Sequence, residues 1–139
     1  MIYKGFSVPW DSGLFFKSFS GIRKWNKRIR TQGFNNLIGT LQKPLDTRPA
    51  AASDLVRLKK MHRVLYFLLV RIMHHENPCT VASIVLFDEC RKESIDCVLV
   101  VGAEKTTGRI SGHSWIEIDG SPINEDIGYL GKFTRMKEV

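Results

Sequence analysis

No apolar run in this chain of 139 residues is longer than the seven from Val64 to Val70, which ends at Arg71. A helix across a bilayer needs about 20 such residues, so no membrane span is expected. Lys4 is not followed by an apolar run closing on a small-residue cleavage site, and no signal peptide is expected either. Cysteine is scarce. Cys79, Cys90 and Cys97 cannot all pair, and no CxxC or Cys/His finger spacing occurs. That excludes a secreted disulfide framework and argues for free thiols in the cytoplasm. No metal or other cofactor is expected, since a site from His75, Cys79 and His113 would be interrupted by Pro78 and lacks a fourth ligand. Internal repeats and low-complexity tracts are also missing.

With 43% hydrophobic and 25% charged residues, the composition is that of a soluble domain large enough for a core. The net charge of +7 is uneven. Residues 1–50 hold nine Lys/Arg against two acids, and residues 51–139 hold twelve of each. We divide the chain into 1–52, a basic helical segment for docking or support, and a core, 53–139. Basic charge alone would permit nucleic acid. However, Phe15, Phe16, Phe19 and Trp25 follow helical core spacing rather than a stacking platform, so nucleic acid is not an expected partner.

Residues 1–13, broken by Gly5, Pro9 and Gly13, read as irregular. A helix is expected from Leu14, with Phe15, Phe19, Ile22 and Trp25 or Ile29 as its apolar stripe. A short apolar stretch, Phe34 to Leu41, follows. Ser53 is suited to capping a helix over roughly Asp54 to His75, with Leu58, Met61, Leu65, Leu68, Leu69 and Ile72 inward. On that helix His62, His74 and His75 read as solvated or capping residues. Pro78 suits the first turn of a new helix reaching about Arg91. Asp96 to Gly102 is an apolar strand, Glu104 to Arg109 a polar loop, and Tyr129 to Val139 a weaker strand or loop.

Two positions carry chemistry. A helical cysteine is ordinarily a small buried hydrophobe. Cys79 differs because the first turn of a helix presents unpaired N–H groups and a positive dipole end, both of which favour thiolate. Cys90 and Cys97 lack that setting and read as core residues. His113 opens a stretch in which Ser114, Ile116 and Ile118 alternate with Trp115, Glu117 and Asp119, the period of a strand. Trp115 shares its face and can shield it. Asp119-Gly120 is a hairpin turn signal. A two-residue turn pairs Ile118 with Ser121 and sets His113 opposite Asp126, with Asn124 on the same face. A three-residue turn pairs Glu117 with Ser121 and sets His113 opposite Glu125. Asp119 reads as a turn former. Cysteine at a helix start, histidine on a strand and a polar or acidic group on the next strand form a nucleophile, base and orienter.

Asn77-Pro78-Cys79 opening a helix, the Val98-Leu99-Val100-Val101-Gly102 strand and the run Gly112 to Gly120 resemble the transglutaminase-like leader peptidases of lasso-peptide biosynthesis. The order cysteine helix, apolar strand, His-x-Trp-x-Glu hairpin is shared with the wider papain and transglutaminase group. Pro122-Ile123-Asn124-Glu125 after the short turn points to the lasso branch, and the resemblance covers about residues 54–131. It implies an α+β fold with a papain/transglutaminase-like core: N-terminal helices, a nucleophile helix and a small antiparallel sheet. It implies a cysteine endopeptidase that removes the leader from a ribosomally made precursor, with Cys79 as nucleophile and His113 as base. The family usually has Asp on the returning strand, so the third member here is Glu125, with Asp126, Asn124 and Asp119 as alternatives. The implied partners are the precursor's leader region, a small leader-recognition protein and an ATP-dependent lasso cyclase. The recognition protein is expected to be separate, because residues 1–50 show no winged-helix pattern. Rival readings are acyl transfer by the same Cys/His pair and a non-catalytic peptide-binding scaffold.

Overall fold

The computed structural model describes residues 12–106 and 109–139. The irregular opening expected for residues 1–13 falls, as far as residue 11, outside them, and Gly13 lies inside the first helix. That helix, α1 (Ser12–Gln32), buries Leu14, Ser18, Ile22 and Trp25. Of the expected stripe, Ile22 and Trp25 are buried and Phe15 and Ile29 pack against the core, but Phe19 is 43% exposed and Phe16, also read as core-spaced, 79%. Leu14 and Ser18 complete the buried face, and close packing decides its edge. At Gly21 even a Cβ would come within 2.8 Å of Val85 Cγ1, so α1 approaches its neighbour along its small residues, a face the phenylalanines could not present.

After α2 (Phe34–Thr40) comes α3 (Ala52–Tyr66), which continues as a π-helical turn over Phe67–Ile72. Its N-cap is Ala51 rather than Ser53. The Asp54 carboxylate takes over the capping, accepting from Ala51 N–H at 2.9 Å and from Arg48 at 2.6 Å. His62, expected to be solvated or capping, is 5% exposed and lies against the Tyr66 ring, centroids 4.5 Å apart. Its position one residue from Met61 and four from Leu58 places it within the broad inward face, where the rest of the helix carries it into the core.

The fourth helix, α4 (Pro78–Lys92), is buried from Val81 to Cys90 and packs against α1, α3 and the sheet. Its far end places Asp88 and Glu89 in the interior, and cations answer both. Glu89 receives Lys17 at 2.9 Å and Arg57 at 2.6 Å, while Asp88 receives Arg91 at 2.6 Å and the Trp25 indole at 3.3 Å.

The sheet comprises β1 (Val98–Thr106), β2 (Arg109–Ile118), β3 (Ser121–Pro122) and β4 (Thr134–Glu138), in the order β3-β2-β1-β4, with antiparallel neighbours. Strands occupy most of the polar stretch expected as a loop, and the expected weak tail contains a helical turn, α5 (Ile127–Leu130), as well as β4. Alternation divides β1 and β2 cleanly. Leu99, Ile116 and Ile118 join the main core under the helices, whereas Val100 and Trp115 meet Leu130 and Phe133 in a second cluster on the opposite face. Gly102 permits that second cluster. A Cβ there would lie 2.9 Å from Phe133 Cβ and 3.1 Å from the Trp115 ring. No helix among the described residues is long and apolar enough to cross a membrane.

Candidate active site

The site lies where the start of α4 meets β2. Asn77 is the N-cap of α4, Pro78 occupies the first turn, and Cys79 follows. Proline has no N–H to lose and its fixed φ suits that position. The Asn77 side chain makes no capping hydrogen bond. The opening N–H groups of the helix therefore have no side-chain cap, and they are natural donors to an anion.

The returning strand determines which of the candidate side chains reaches His113. Ile118 pairs with Ser121 and Glu117 with Pro122, the two-residue turn. Asp119 and Gly120 have φ of 52° and 76°, the left-handed pair of a type I′ hairpin. Continued as a regular ladder, that register would set Asp126 opposite His113. It does not continue. Ile123 N–H still bonds Ile116 at 3.0 Å, but Asn124 turns left-handed with φ 52° and swings the chain out of the strand. Glu125 is thereby brought to His113, its Oε1 3.0 Å from Nε2, with the Glu125 side chain 2% exposed. The alternatives are occupied elsewhere. Asn124 donates to Lys59 O at 2.9 Å, Asp126 accepts Gly128 N–H at 3.1 Å at the start of α5, and Asp119 forms the turn.

Since Nε2 of His113 is committed to Glu125, Nδ1 is left for the thiol of Cys79, with which the ring is hydrogen-bonded. Burial pushes the Cys79 thiol up. The His113 hydrogen bond and charge, together with Ser114 N–H and the Thr80 hydroxyl, pull it down further, leaving it below the ordinary thiol value. For His113, burial lowers the pKa, but Cys79 and Glu125 outweigh it and hold the ring at about 9. The two opposite shifts favour a thiolate–imidazolium pair at neutral pH. Cys90 and Cys97 are buried against each other; the hydrogen bond with Cys97, then burial, pushes Cys90 well up, and the same bond pulls Cys97 down.

Rings enclose His113. Trp115 stacks at 5.7 Å between centroids, Phe133 lies at 5.4 Å and Tyr129 meets it edge-on at 5.7 Å. Trp115 is itself fixed by Nε1–H donating to Glu117 at 2.8 Å, and Glu117 takes Arg135 through both oxygens, at 2.8 and 3.1 Å. The cage limits water around the imidazole and restricts its rotation.

A buried bridge not anticipated from sequence joins the two halves. Ser114 Oγ donates to Cys79 O at 3.1 Å and lies 2.8 Å from Ser83 Oγ. Ser83 Oγ also lies 3.1 Å from Thr80 O, so the two hydroxyl protons are shared among the Cys79 and Thr80 carbonyls and the contact between the serines. The signal was present: Ser114 occupies an inward position otherwise held by Ile116 and Ile118, and a buried hydroxyl requires a partner. His75, which had been considered as a metal ligand, instead bonds Asn26 and Asn77, each at 3.0 Å.

A cysteine thiol at an uncapped helix start, a histidine bonded to it and a buried carboxylate behind the histidine can together activate a nucleophile, shuttle one proton and stabilise the cation formed. A family model for the transglutaminase-like superfamily matches residues 23–138. No curated protein and no solved structure matches the chain. The match extends from within α1 to the last strand and takes in each of these residues, so the chain belongs to the transglutaminase-like superfamily.

Proposed function

We propose that this protein is a cysteine endopeptidase that removes the leader from a ribosomally made precursor during lasso-peptide maturation. The observation that carries the chemistry is His113, held between the Cys79 thiol and the buried Glu125 carboxylate. The substrate class rests on the resemblance of the Gly112 to Glu125 run to the leader peptidases of that pathway. The Cys79 thiolate attacks the scissile carbonyl carbon, whose π electrons move onto oxygen. The backbone N–H of Cys79 receives that oxyanion. As the tetrahedral intermediate collapses, the C–N bond breaks and imidazolium His113 protonates the leaving amine. Neutral His113 then takes a proton from water, which attacks the thioester and releases the leader acid and Cys79 thiolate. Glu125 keeps the imidazole oriented and balances its charge throughout. The freed amine is what an ATP-dependent lasso cyclase would join to a side-chain carboxyl.

A Cys/His pair carries no information about which peptide to cut, so a separate small leader-recognition protein is the proposed source of specificity. Part of the basic face of α1 is its proposed contact. Lys17 and Lys24 already answer Glu89 and Asp88, which leaves Arg23, Lys27 and Arg28 as the more available cations of that face.

The test mixes the protein with a precursor peptide encoded beside it and the matching recognition protein, with mass spectrometry as readout. Release of intact leader supports the proposal. An amide adduct would instead indicate acyl transfer by the same residues, and unchanged peptide a binding scaffold; either result overturns it.

A further inference from the structure

We infer that His75, backed by Asn26 of α1, is a positioning residue that fixes the entry to α4 and hence the attack geometry of Cys79. The inference rests on Cys79 as the reactive thiol, and one arm of its test does not depend on the substrate.

Hydrogen-bond logic determines the state of His75. Asn77 N–H, 3.0 Å from His75 Nδ1, can only donate, so Nδ1 must carry a lone pair. A neutral ring then has its proton on Nε2, which donates to Asn26 Oδ1 at 3.0 Å. Both ring nitrogens are satisfied in one tautomer, and the half-buried imidazole forms a rigid strut from α1 to the backbone of Asn77. The backbone of His75 is also held, its N–H donating to Leu69 O at 2.7 Å at the end of the π-helical turn, just after His74 passes through a left-handed φ of 48°.

This strut stands in for a missing device. An N-cap asparagine normally folds its side chain onto the first turn. Asn77 makes no such bond and has φ −127° and ψ 68°. Pro78 then contributes no N–H. The Asn77 N–H is consequently the last backbone donor before that of Cys79, and His75 is what holds it. Without the strut, the Asn77–Pro78 link can rotate, and both Sγ and the N–H of Cys79 swing with it. A misplacement of about 1 Å at a reacting group can cost on the order of 100-fold in rate.

Amide side chains separate the two bonds. His75→Asn keeps an acceptor near the Nδ1 position, whereas His75→Gln keeps a donor near the Nε2 position and loses the acceptor. Two quantities are read for each variant: the rate at which iodoacetamide alkylates Cys79 across pH, and kcat and KM for precursor cleavage. Thermal midpoints are recorded alongside. For His75→Ala and His75→Gln we expect slower alkylation at neutral pH and kcat lower by about 10- to 100-fold with KM little changed. His75→Asn should stay within about threefold of wild type. Asn26→Ala should weaken the strut, yet add nothing to His75→Ala, since the residues act in series. A purely structural role would make alkylation follow the thermal midpoints instead. The inference is overturned if it does so, if His75→Ala alkylates and cleaves like wild type, or if Gln preserves function and Asn does not. Should wild type cleave no precursor, the proposed function fails while the alkylation arm still decides this inference.

Discussion

His62 offers a quantitative test of the interior beneath the site. Burial first, then the charges of Arg63 and His113, depress its pKa from 6.5 to about 3. Its Nδ1 is buried without a hydrogen-bond partner among the described residues. Because the folded value lies below the unfolded one, the folded protein holds His62 neutral. The unfolded chain gains a proton that the native state refuses as pH falls from about 6.5 towards 3. The stability at stake is therefore complete above pH 6.5 and is lost on acidification, the reverse of a histidine that gains an acidic partner. Each pH unit within that window is worth about 1.4 kcal/mol, and between pH 7 and pH 5 the loss sums to about 2 kcal/mol. His62→Leu removes the titration at nearly equal volume and removes the orphaned nitrogen, which by itself costs about 1–3 kcal/mol. The assay is urea unfolding of both proteins, reduced, at pH 7, 6 and 5, with equal m values checked. Carboxylates and His113 titrate in both proteins and largely cancel in the difference. The variant's advantage should grow by about 2 kcal/mol from pH 7 to pH 5. A difference that stays constant within about 0.5 kcal/mol would mean that His62 accepts a proton in the folded state, refuting the reasoning.

Other expectations concern the site. Cys79→Ala should abolish cleavage while Cys90→Ala and Cys97→Ala cost only core stability, and peptide mapping after alkylation at mildly acidic pH should find Cys79 labelled first. His113→Ala should lower activity by several orders of magnitude, with the Cys79→Ala double variant no worse than either alone, because the two act as a unit. Glu125→Gln keeps the shape but removes the charge that helps hold His113 at about 9, so the alkaline limb of the rate profile should move to lower pH; an unmoved limb would exclude Glu125 as the orienter. Gly102→Ala forces a methyl to within 2.9 Å of Phe133 Cβ, which should cost about 1–3 kcal/mol in a urea melt and displace the rings around His113.

Reading the sequence went furthest where a local rule had no competitor. Pro78-Cys79 at a helix start, the alternation from His113 to Ile118 and the Asp119-Gly120 turn each depend on neighbours in the chain, and the turn selected one of the two registers considered. Glu125 shows where that reasoning stops. The two-residue register alone favours Asp126, and only the left-handed Asn124, held by Lys59 O on α3, brings Glu125 to the histidine. A contact 65 residues away in sequence decided it. On α1 the sequence placed Ile22 and Trp25 inward but misplaced Phe19, since the close approach to α4 at Gly21 sets the edge of the buried face. His62 and the Ser83–Ser114 bridge were missed because burial of a polar residue is decided by what packs over it, which periodicity does not report.

The His113–Glu125 bond spans 12 residues, whereas Cys79 lies 34 positions before His113 and reaches it only when α4 docks on β2. Closing the shorter loop costs less chain entropy. The hairpin that carries His113 can thus assemble early, but Glu125 reaches the ring only once Asn124 docks on Lys59 O of α3, and Cys79 arrives with the main core. A partly folded chain would then carry an ordinary, unactivated thiol. Pulsed alkylation during refolding should accordingly find Cys79 acquiring its reactivity in the same phase that buries Trp25, giving the cell a reactive sulfur only once the molecule around it is finished.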